Sequence, residues 1–204
     1  MKKLLITFVV LAGITSISAE AFDWSSALNF INNASEPKTV ETQITNLSDL
    51  EKQMTAIDSS VQTAFVEIVS KLSGWKETRN VKSQLKSGKT TLANVISNYA
   101  NTYMENNRQN IANKIKKMSD KDIATLTNNI KTLTECGQNY LTLAANGAKT
   151  ATNTLKTAQN ISEVANTVAN INKAAVELRS RASNVYSLVK QVKSIATTAG
   201  VTIN

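Results

Sequence analysis

The chain has 204 residues, with 23 Lys and Arg against 15 Asp and Glu, a single Cys, a single Pro and no His. The lack of His removes the usual general base at neutral pH, the commonest metal ligand and the middle member of a hydrolase triad, while one Cys can build neither a zinc site nor an internal disulfide. Only carboxylate, Lys or Tyr chemistry is left, so the sequence predicts no enzyme, no cofactor and no bound metal.

Short polar residues are abundant, with 24 Thr, 23 Asn and 19 Ser, yet Gly and Pro number only 6 and 1. A chain that is 42% apolar and so poor in breakers buries a core through long uninterrupted helices, and a single domain over residues 22–204 is expected.

Residues 1–21 carry a short basic start at Lys2 and Lys3, an apolar run from Leu4 to Ile14, and the small-residue site Ala19-Glu20-Ala21. That order is the pattern of a cleaved secretory signal peptide, with a cut after Ala21 or Ala19 and a secreted or periplasmic destination. Asp23 is placed to cap a short helix through Trp24, Ala27, Leu28 and Ile31, ended by Asn32 to Pro37.

Four long helices are then predicted, near 48–73, 90–118, 120–146 and 150–199. The first opens on the capping box Ser48-Asp49-Leu50-Glu51 and keeps a 3-4 apolar stripe from Leu47 to Ile68, with Gly74 as its closing residue. Residues 75–89 are a basic connector with a short helix around Val81 and Leu85. In the second helix the period lapses at Glu105-Asn106-Asn107-Arg108, which predicts a kink or polar layer. The third starts at Ser119-Asp120-Lys121-Asp122 and is expected to stop at Asn146-Gly147. In the last, twelve positions from Ile161 to Ala199 step by 3 and 4 and all are apolar. A helix from near Thr150 to Gly200 would be about 75 Å long at about 1.5 Å per residue, long enough to require a partner along a coiled-coil-like seam. The fold expected is therefore all-α, an elongated antiparallel helical bundle with one or two short helices in front.

Charge is unevenly placed. Seven acids and two Lys lie between Phe22 and Ile68, and ten bases and two acids between Lys71 and Met118. Either the acidic first helix packs on a basic neighbour, or an anionic partner answers the bases. Arg79, Lys82, Lys86 and Lys89, spaced 3, 4 and 3, form a cationic stripe headed by Trp75, and these five residues are the candidate anionic-partner patch. Arg108, Lys114, Lys116 and Lys117 form a weaker second cluster.

Other motifs have simpler readings. Ser87-Gly88-Lys89-Thr90 resembles the end of a phosphate-binding loop but lacks the first glycine, with Ser83 in its place, and the preceding strand. Asp120 with Asp122 reads as helix capping, Glu163 with Glu177 as a solvated face, and Asn172 as an exposed residue just off the seam, the other reading being a polar residue that sets register in an oligomer. Asn33, Asn46 and Asn160 begin glycosylation patterns that an Asn-rich chain produces by accident. Cys136 is expected to be buried as a small apolar residue, the other outcome being a disulfide-linked dimer.

The function expected first is an exported, non-enzymatic bundle that binds another protein through helical surfaces. Second is a membrane-active or anionic-lipid-binding helical protein, and third a stalk or surface-filament subunit, with a homo-oligomer compatible with each. Nucleic acid is not expected, because export removes the chain from it and no helix-turn-helix pattern or aromatic ladder is present.

Overall fold

The computed structural model describes residues 47–158 and 161–203. The leader, the short helix beginning at Asp23, its end near Pro37 and the sequons at Asn33, Asn46 and Asn160 lie outside the described residues. Within them the fold is all-α, and no strand occurs among the described residues. The helices are α1 (Leu47–Leu72), α2 (Trp75–Ser87), α3 (Leu92–Asn98), a π-helical segment (Tyr99–Met104), α4 (Arg108–Lys116), α5 (Asp120–Thr157) and α6 (Ile161–Thr198).

Helices α1, α5 and α6 form the frame. Leu50 meets Gly147, Asp58 meets Tyr140 and Lys71 meets Asp122, so α1 runs antiparallel to α5. Gly137 abuts Tyr186 and Gly147 abuts Ile171, so α5 runs antiparallel to α6. The remaining short helices pack chiefly on α6 and on the end of α1. Burial follows the predicted seams. On α6, Val168, Ile171, Ala175, Leu178, Ala182, Val185, Val189, Val192 and Ala196 are all buried, and Leu188 and Ile195 widen the stripe. Burying such side chains, at roughly 1.5–3 kcal/mol for the larger ones, offsets the weak helix propensity of the many Thr and Asn residues.

Three boundaries differ from the sequence reading. α5 does not stop at Asn146-Gly147 but continues to Thr157, because Gly147 is a close-approach residue: a Cβ there would lie 2.7 Å from Cδ1 of the fully buried Leu50. The final helix therefore starts at Ile161 and has 38 residues, about 57 Å at about 1.5 Å per residue, instead of the expected 75 Å. Gly74 is not a left-handed closing residue for α1 but the extended N-cap of α2, with φ −81° and ψ 168°.

The 90–118 stretch is broken into α3, the π segment and α4. The wide π turn lets Tyr99, Ala100 and Met104 all face the core, and the turn at Asn107 falls where the apolar period lapses. Tyr99 stacks on Tyr103 at 5.2 Å and meets Phe65 edge-on at 5.5 Å. Its hydroxyl lies 2.6 Å from that of the buried Ser73, and burial pushes the phenol well above its ordinary range.

Candidate functional site

Each predicted cluster has a definite place in this frame. α2 begins at the Gly74 cap and ends at Gly88, whose φ of 65° provides the left-handed stop that a side chain disfavours. Only Val81 of α2 is buried, with Leu85 half-buried beside it. At about 100° per residue, Trp75, Arg79, Lys82 and Lys86 fall within about 60° of one another, and Val81 lies about 130° from their centre. All four are exposed, as is Lys89 just beyond the helix end. Trp75, at 69%, stands as the exposed large hydrophobic residue among the described residues. The structure thus brings Trp75, Arg79, Lys82 and Lys86 onto one outward face. Lys89 follows on the α2–α3 turn.

None of Arg79, Lys82, Lys86 and Lys89 forms an ion pair with a described residue. The acids of α1 do not neutralise them. Asp58 pairs instead with Arg181 on α6, and Lys71, near the end of α1, reaches Asp122 at 2.6 Å. That hydrogen bond raises the Lys71 pKa and, with the bond from Ser119, lowers that of Asp122.

The second basic cluster is divided among structural duties. Arg108 bonds Ser194 at 2.6 Å and lies 3.8 Å from Glu105. Lys114 donates to the Ser73 carbonyl at 2.5 Å, closing the C-terminal end of α1 where a cation is favoured, and desolvation lowers its pKa. Lys116 and Lys117 remain exposed.

The phosphate-loop resemblance dissolves, since helix α2 precedes Gly88 and Thr91 caps α3 through the Asn94 N–H at 3.3 Å. Asp122 is a capping residue, as expected: Ser119 Oγ accepts from its N–H at 3.2 Å and donates to its carboxylate at 2.8 Å. Glu177 is tied to Arg181 at 2.5 Å, and Asn172 is half-buried. Cys136 is buried and unbonded, at 6% exposure.

Sequence reasoning missed one polar constellation. Arg181 bridges Asp58 on α1 and Glu177 on its own helix, while Tyr140 on α5 donates to the other Asp58 oxygen at 2.5 Å. Burial alone would lower the Arg181 pKa, but the bonds to Glu177 and Asp58 outweigh it and hold the guanidinium charged. The constellation ties three helices together. A signal for it existed in the Glu177–Arg181 spacing of four, but Asp58 and Tyr140 are distant in sequence and sit at no diagnostic interval.

A groove of about 160 Å³ between α1 and α5 is lined by Gln53, Ala56, Ile57, Asn139, Thr142, Leu143 and Asn146, all uncharged. Among the described residues no group of acids, Cys or His is arranged to hold a metal ion, and no helix is long and apolar enough to cross a membrane. No family model, curated protein or solved structure matches the chain.

Proposed function

We propose that the protein is an exported, non-enzymatic helical bundle that works by binding a partner through an exposed helical surface, the outward face of α2. The observation that carries this reading is Trp75, 69% exposed at the head of a row of cations that have no counter-charge among the described residues. Trp and Arg are the residue types that dominate binding energy at interfaces, and an indole left in water gains by being covered. Among the described residues the apolar seams of α1, α5 and α6 are occupied chiefly by one another, which leaves them less available to a partner than the outward face of α2. The uncharged lining of the α1–α5 groove and the absence of His support a non-catalytic role. Export rests on the leader pattern of residues 1–21. The filament reading rested on a helix of about 50 residues, and α6 has 38.

A photo-crosslinking benzoylphenylalanine at Ser83, exposed on the flank of the stripe, tests the reading in the source cells. Adducts should form there and not with the same probe at Gln109, exposed on α4. Equal yields at the two positions would refute α2 as the binding face.

A further inference from the structure

We propose that the outward face of α2 docks the protein on an anionic phospholipid bilayer, with Trp75 in the headgroup layer and Arg79, Lys82 and Lys86 laid along the lipid phosphates. This rests on α2 being the binding face and names what it binds. Val81 turns inward and is 2% exposed, which holds α2 against the bundle by its opposite side and fixes the stripe outward. Glu77, the one acid of α2, is half-buried off the stripe, so the outward face is cationic along its length.

The shape of the face favours a bilayer over an acidic protein. A protein partner draws its specificity from buried pockets and bidentate guanidinium pairing. Here the surface is one convex helix, and two of the three cations in its stripe are Lys, which act as flexible point charges. A plane of phosphates neutralises such a row without any matching shape, at roughly fivefold in affinity per cation. Trp is the side chain enriched where hydrocarbon meets headgroups. No helix among the described residues is apolar enough to cross a membrane, and docking of this kind is peripheral, with the bundle intact.

The test is co-sedimentation of the intact protein with vesicles of equal parts phosphatidylglycerol and phosphatidylcholine, and with pure phosphatidylcholine, at low and high salt. Three proteins are compared: the native chain, the triple variant Arg79→Gln, Lys82→Gln, Lys86→Gln, and a charge-matched control, Lys116→Gln, Lys117→Gln, Lys131→Gln, all at exposed positions. The native chain should bind only the anionic vesicles, less at high salt. The α2 triple variant should lose on the order of 100-fold in affinity, and the control much less. In a Trp24→Phe background, brominated lipid should quench the emission of Trp75. Failure of the native chain to bind anionic vesicles, equal losses in the two triple variants, or unquenched Trp75 would each overturn the proposal. Capture by immobilised polyglutamate that the α2 variant loses, without vesicle binding, would leave α2 as the binding face but assign it an acidic protein. Loss of neither kind of binding in the α2 variant would remove both readings.

Discussion

Tyr140 and Asp58 lie 82 residues apart in sequence and meet through a 2.5 Å hydrogen bond from phenol to carboxylate, while the same carboxylate pairs with Arg181. One acid thereby joins α1, α5 and α6. The Arg181 side chain is 12% exposed and that of Asp58 26%, so water does little to replace either partner.

Asp58→Asn keeps the volume but removes the charge, leaving the guanidinium with Glu177 alone. The expected cost is about 2 kcal/mol, the range for hydrogen bonds to charged groups in partly buried sites. For a chain of this size that is a fall in Tm of about 4–8 °C. Tyr140→Phe retains the ion pair and should cost about 1 kcal/mol. Thermal melts followed by circular dichroism separate the two, and an Asp58→Asn variant as stable as the native protein would show that the constellation contributes nothing net.

Gly137 is the second point of close packing. A Cβ there would lie 2.8 Å from Cζ and 2.9 Å from Cε1 of Tyr186, whose ring must then tilt as a unit. Helix propensity favours Ala over Gly by about 1 kcal/mol, and overpacking costs about 1–3 kcal/mol, so Gly137→Ala should be net destabilising. In a Tyr186→Leu background the clash is gone and the same substitution should stabilise. Urea unfolding of the four proteins of this cycle measures the coupling, and additivity would contradict the packing account.

The two glycines of α5 also show where sequence reading stops. Helix α1, the Ser119 cap and the α6 seam were legible because a period of 3 and 4 in apolar residues depends only on local spacing. Asn146-Gly147 reads locally as a helix end, and only the arrival of Leu50 from another helix makes Gly147 a residue of the interior. The end of α5 at Thr157, with Ala158 as its cap, is announced by neither Gly nor Pro at those positions. The outward turn of Arg79, Lys82 and Lys86 could be read from their spacing. That Lys114 would instead serve the end of α1, and Arg181 reach Asp58, depends on which helices become neighbours.

Cys136 should behave as a core residue. At 6% exposure, with burial pushing its thiol up to about 11, it is protonated and shielded at neutral pH. A non-reducing gel should show monomer, and a thiol reagent should react only as fast as the protein opens, becoming rapid in denaturant. Immediate stoichiometric labelling of the folded protein, or a reducible dimer, would refute the burial.

Alkaline pH should unfold the protein through the same buried acids. Burial raises the Cys136 thiol from 9.0 to about 11 and the Tyr186 phenol from 10.0 to about 12. Burial, with the hydrogen bond to Asp58 second, raises Tyr140, and burial raises Tyr99. Each group holds its proton more tightly folded than unfolded. Its contribution is therefore complete below the unfolded value and lost as pH climbs toward the folded one. Lys114 and Lys193, lowered by desolvation, act in the opposite direction, since folding favours their neutral forms as pH rises. Four raised acids against two lowered bases leave a net loss, so the urea midpoint should fall as pH rises from 9 toward 11. Cys136→Ala should remove the earliest part of that fall and Tyr140→Phe a later part. A midpoint that stays flat or rises over this interval would mean that the thiol and phenols are not held protonated by the fold.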